Sequence, residues 1–173
     1  DIEPVVSAVR QHLGVEIMVL RLLEAESDRP DGGLVTYLAE ASGTTVAQPW
    51  NGSLTDHALR LPYAKPGGPQ ADLDWARGLL ARQGIKLAGA PVQIRTWNLS
   101  SIWKVPTDSG TVWLKSVPPF FAHEGRILAA CASMPVPQLI GADGGRILLM
   151  HIEGKDQHEP ALEQRLAMVD LLT

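Results

Sequence analysis

Apolar residues open the chain at helical spacing, with Ile2, Val5, Val6, Val9 and Leu13 on one side and Gly14 placed to cap the C-terminal end. Residues 15–25 are then rich in Val, Ile, Leu and Met, which predicts a mostly buried strand. The run SDRPDGG at 27–33 is turn chemistry, and 34–41 reads as a second strand, so the two should form a hairpin. Residues 47–68 hold Pro49, Pro62 and Pro66 and read as irregular. A helix is expected over 69–84, its apolar side made by Leu73, Ala76, Leu79 and Leu80, and 85–90 reads as a linker.

Beyond residue 90 the texture changes. Short β-prone runs at 92–97, 102–107 and 111–117 are separated by tight turns, the second of them Asp108, Ser109 and Gly110. Pro118 and Pro119 end the third strand because proline has no N–H for a ladder. A helix is expected over 120–134, then two strands over 135–141 and 146–152. The order β-β-β-α-β-β with short turns predicts an α+β fold: an antiparallel sheet of about five strands plus one helix, preceded by a small α+β unit. The expected division is 1–90 for that accessory unit, 91–157 for the sheet lobe and 158–173 for a further helix.

Charge and composition narrow the function classes. There are 15 Lys+Arg against 19 Asp+Glu, a net charge of −4, with no basic block. Such a chain lacks the cationic stripe that nucleic-acid backbones require. No apolar run reaches the ~18–20 residues that span a bilayer, so no membrane partner is expected. One cysteine excludes an internal disulfide framework and a cysteine-based zinc site, and a cytoplasmic setting is the default expectation. The first residue is Asp rather than Met, and the amphipathic stretch 160–173 stops without a cap. We therefore expect the N-terminal part of something longer, with a dimer through the exposed face of that last helix as a further expectation.

Two charges fall where apolar residues belong. In TVWLKSV, period two puts Trp113, Lys115 and Val117 on one face and Val112, Leu114 and Ser116 on the other. Phe120, Ile127, Leu128 and Cys131 lie at −4, +3, +4 and +7 from Glu124, which puts its carboxylate in or beside the apolar stripe of the helix. Each alone reads equally well as a boundary position. Together they predict a pair, because the helix should pack back on the strand that leads into it. A strand lysine held by a helical glutamate is a device that aims an ammonium at nucleotide phosphates.

The segments WNLSSIWKVPTDSGTVWLKSVPPFFAHEGRILAA and VPQLIGADGGRILLMHIEGKD resemble the small lobe of the protein-kinase-like fold, specifically the aminoglycoside phosphotransferase family. The resemblance covers about residues 91–157, with 158–173 similar to the first helix of the large lobe. It implies an ATP-dependent transfer of phosphate to a small-molecule hydroxyl, with ATP and Mg²⁺ as cofactors. Lys115 would contact the α- and β-phosphates, with Glu124 as its helical partner. Ser100 and Ser101 would lie in the loop above the phosphates. Met150 would border the adenine pocket, and His151, Ile152 and Glu153 would supply hinge contacts. The family's catalytic loop, H-G-D-x-x-x-x-N, and its later metal-binding aspartate are absent: Glu159 and Pro160 follow His158, and Leu171 follows Asp170. No catalytic residue is therefore expected in this chain, which should be inactive alone. The hydroxyl acceptor would be bound by a large lobe that the sequence does not contain. The alternative is a non-catalytic α+β binding or interaction module.

Other chemistry finds little support. His12, His57, His123, His151 and His158 show no second ligand at metal spacing. Cys131 reads as a small buried hydrophobe, and neither Ser100 nor Ser101 has a base and acid to make it a nucleophile. The five tryptophans are expected to pack in the core.

Overall fold

A computed structural model describes residues 1–26, 33–42, 52–154 and 159–170. The protein is α+β, with a two-stranded and a five-stranded antiparallel sheet. Helix α1 (Glu3–Leu13) begins with Pro4 in its first turn and ends at Gly14, whose φ of 65° closes the last turn through an N–H donated to Arg10 O. Strands β1 (Glu16–Ala25) and β2 (Val35–Ser42) form the expected hairpin, with two register shifts. The hairpin turn expected at 27–33 falls almost wholly outside the described residues. Ile2, Val6 and Val19 close the small core between α1 and the hairpin.

Helix α2 (Gly68–Arg82) packs on the larger sheet, made of β3 (Val92–Thr96), β4 (Ser101–Thr107), β5 (Gly110–Ser116), β6 (Leu139–Asp143) and β7 (Arg146–Met150). The sheet order is β3-β4-β5-β7-β6, so the chain leaves β5, passes through α3 (Glu124–Ala130), lays down the edge strand β6 and returns between the two. Leu73, Ala76 and Leu80 of α2 bury Trp103, Val105, Val112, Leu114 and Leu148, giving a main core that draws on both sides of residue 90. Burial of this kind is worth about 1.5–3 kcal/mol per large side chain, which fixes which face of β5 turns toward α2.

Several sequence expectations change. The stretch 85–90 is not a free linker. Leu87 bridges to Thr107, Ala88 N–H donates to Pro106 O, and Lys86 and Asp108 exchange backbone and side-chain bonds. The helix expected over 120–134 shortens to α3, preceded by a 3-10 turn at Pro119–Phe121. Residues 135–138 do not join β6, since Pro135 and Pro137 cannot donate to a ladder. Cys131 is half-buried rather than fully enclosed. Of the described tryptophans only Trp103 is fully buried. Among the described residues no helix is long and apolar enough to cross a membrane.

The two sheets are joined by a side chain. Gln93, buried in β3, accepts from Val19 N–H through Oε1 and donates to Val19 O through Nε2, both at 2.8 Å. The amide thus completes the ladder at a point where β1 and β3 do not pair directly. Ile2 N–H adds a bond to Ile94 O at 3.0 Å. We predict that Gln93→Leu costs about 2–5 kcal/mol in urea unfolding, because it leaves a buried donor and a buried acceptor unpaired. A loss below about 0.5 kcal/mol would contradict the bridge.

A second polar contact ties α2 to the sheet. Ser116 Oγ donates to Asp72 Oδ2 at 2.6 Å, and Arg146 lies 5.0 Å over the Trp75 ring. Burial pushes the Asp72 carboxyl above its ordinary value, while the Ser116 bond and Arg146 pull it back only in part. A raised folded value means that Asp72 stabilises most below its unfolded value and loses that contribution as pH rises through the folded one. Asp72→Asn keeps an acceptor for Ser116 without the charge. Its stability relative to the parent should therefore increase between about pH 4 and pH 7, measured by urea unfolding. A pH-independent difference would contradict this assignment.

Candidate functional site

The alternation of β5 sets up the site. Val112, Leu114 and Ser116 are buried toward α2, which turns Trp113 and Lys115 to the opposite face. Register places Ile102 of β4 and Ile147 of β7 on either side of Lys115, with Lys104 and Leu149 flanking Trp113. On this face α3 packs over one end of the sheet, against β6. Gly125 makes that approach close, since a Cβ there would stand 2.6 Å from the Ala142 Cβ. Glu124, one residue earlier, then reaches the sheet.

Lys115 Nζ donates to both Glu124 oxygens at 2.7 Å. The side chains are 31% and 32% exposed. The expected pairing of these two residues is thus present, symmetric and open to solvent. An ammonium has three donors, and a carboxylate that engages two leaves the third for another acceptor. The apolar stripe invoked for Glu124 is not buried, however: Ile127 is 53% exposed and Phe120 and Phe121 are exposed beside it.

The other sequence candidates divide by face. His151 follows β7, and its Nδ1 accepts from Trp113 Nε1–H at 3.0 Å, which puts it on the Lys115 side. Its backbone N–H donates to Thr111 O. Ile152 and Glu153 are exposed beyond the strand, with the Glu153 carboxylate 3.8 Å from His151 Nε2. Met150 pairs with Val112 and packs with the α2 core, away from Lys115. Ser100 closes the β3–β4 turn, its Oγ accepting from Trp97 Nε1–H at 2.7 Å. Ser101 lies opposite Ser116, and its buried hydroxyl faces the α2 side without a described partner. The structure therefore brings Lys115, Glu124 and His151 to one face and leaves the hydroxyl of Ser101 and the side chain of Met150 on the other.

Trp113 belongs to this site and was passed over in the sequence as a core residue. The signal was present, since period two already set it beside Lys115. Its partner His151 is 38 positions away, which no local pattern reveals. Among the described residues no group of three or more His, Cys, Asp or Glu side chains is placed to hold a metal ion. No protein-family model matches the chain, and neither a curated protein nor a solved structure matches it.

An ion pair this exposed contributes little to stability, about 0–1 kcal/mol, whereas breaking a fully buried pair costs about 3–5 kcal/mol. We predict that Glu124→Gln changes unfolding free energy by no more than about 1 kcal/mol in urea titration. A loss of about 3 kcal/mol or more would make the pair a structural clamp instead.

Proposed function

We propose that this chain is the nucleotide-binding, N-terminal part of an ATP-dependent small-molecule phosphotransferase, with the sheet lobe corresponding to a kinase-like small lobe. The observation that carries the reading is the ion pair itself. Lys115 lies on the third strand of its sheet and is held by a glutamate on the one helix between the third and fourth strands. That arrangement positions an ammonium for nucleotide phosphates in kinase-like enzymes. The open face around it offers Trp113, Ile102 and Leu149 as apolar surface and the chain beyond Met150 as a connector for an adenine edge.

Lys115 would contact the α- and β-phosphates, and Glu124 would hold it in place as a positioning residue. Ser100 and Ser101 contribute through the backbone of the β3–β4 turn rather than through their hydroxyls, which are directed into the protein. Mg²⁺ does not fit any cluster in the described residues. It and the acceptor hydroxyl would belong to a large lobe carrying the catalytic aspartates. This chain alone binds and orients, and it performs no transfer.

A small lobe without its partner should bind ATP weakly, at about 1 mM, or about −4 kcal/mol. Titrating ATP into the ¹⁵N-labelled chain should shift amide resonances of residues 111–116 and 147–153 saturably, and Lys115→Met should abolish those shifts while leaving the remaining spectrum unchanged. Shifts that survive the substitution, or that appear only elsewhere on the chain, would overturn the nucleotide reading and leave a binding module of another kind.

A further inference from the structure

A cavity lies away from Lys115, where the first hairpin, the segment 57–64 and the β3–β4 turn meet. Its volume is about 610 Å³, within the range that small-molecule sites occupy. Leu20, Leu22 and Tyr37 of the hairpin, Leu59 and the Trp97 ring give it apolar walls. Two guanidinium groups, Arg21 and Arg60, line the same space.

Their situations differ. Arg60 is satisfied by Asp56 at 3.0 Å and by Thr55 O at 3.0 Å. Arg21 donates to Ala64 O at 2.9 Å and makes no ion pair among the described residues. A guanidinium has five donors, and among the described residues only one of Arg21's is engaged. Burial and the neighbouring Arg60 both act against the Arg21 charge, with Asp56 compensating only in part. Arg60 has Asp56 as its counter-ion, whereas Arg21 faces a largely apolar cavity with no ion-pair partner among the described residues, which leaves it open to an anionic ligand.

We propose that this cavity binds a small organic anion with an apolar or aromatic body, its acidic group held by Arg21 and its body against the hairpin leucines, Tyr37 and Trp97. The site lies apart from the Lys115 face and meets the nucleotide reading only at the β3–β4 turn, where Trp97 bonds Ser100. Trp97 supplies an internal reporter, because its indole N–H is fixed on Ser100 while its ring forms part of the wall.

The test compares two dyes with the same apolar body, 8-anilinonaphthalene-1-sulfonate and the neutral N-phenyl-1-naphthylamine, on the intact chain. The sulfonate should bind saturably at one site and shift the Trp97 indole resonance. Arg21→Gln should weaken it by about tenfold or more, while the neutral dye changes by less than about twofold. Should Arg21→Gln fail to fold, Leu59→Glu, at a position 81% exposed, places a repelling carboxylate at the same cavity and should have the same selective effect. Equal effects on both dyes, no effect on the sulfonate, or binding that leaves Trp97 unmoved would overturn the proposal.

Discussion

The burial of one face of β5 under α2 is the constraint on which the rest of the arrangement depends. Val112 and Leu114 are wholly enclosed with Trp103, Val105 and Leu148, and their alternation leaves Lys115 no choice of side. A one-residue slip would bury the ammonium in an apolar core, at a cost of several kcal/mol. The lysine is thus pinned to the open face by residues that never touch it. Glu124 meets it there because Gly125 lets α3 close on Ala142 and Ile147. Packing on one side of the sheet and a missing side chain on the other together fix a charge pair that stays open to solvent.

The first ninety residues are coupled to this lobe in two chemically different ways. Helix α2 supplies apolar cover and the Asp72–Ser116 bond. The α1–hairpin unit is joined through Gln93, whose amide stands in for backbone pairing. The cavity flanked by Arg21 forms at this second junction, where three chain segments converge without filling the space between them. A ligand there would touch Trp97 in the turn that opens β4, so the accessory unit and the sheet lobe share a boundary at that turn.

Period two and period 3.6 made most of the fold legible in the sequence. The hairpin, α2, the five strands and the antiparallel class follow from them, as does the meeting of Lys115 with Glu124. What escaped depended on register and on distant contacts. The β4–β5 turn read as three residues, Asp108, Ser109 and Gly110, whereas the structure closes it on Asp108 and Ser109, with Thr107 paired to Gly110. That difference sets Ser101 opposite Ser116 and so turns its hydroxyl away from the lysine face. Prolines 135 and 137 set the start of β6, a stop signal outweighed in the sequence by the surrounding Val and Leu. The bridge from Gln93 to Val19 and the contact from Trp113 to His151 span 74 and 38 positions, beyond the reach of any local pattern.

On the proposed reading, Lys115 is held for phosphate rather than for stability. ³¹P spectra of ATP with increasing amounts of the chain test it most directly. The α- and β-phosphate resonances should move with added protein, Glu124→Gln should reduce the movement, and Lys115→Met should remove it while the fold persists. Equal movement with the parent and Lys115→Met proteins would refute phosphate contact and assign the ion pair to the sheet surface alone.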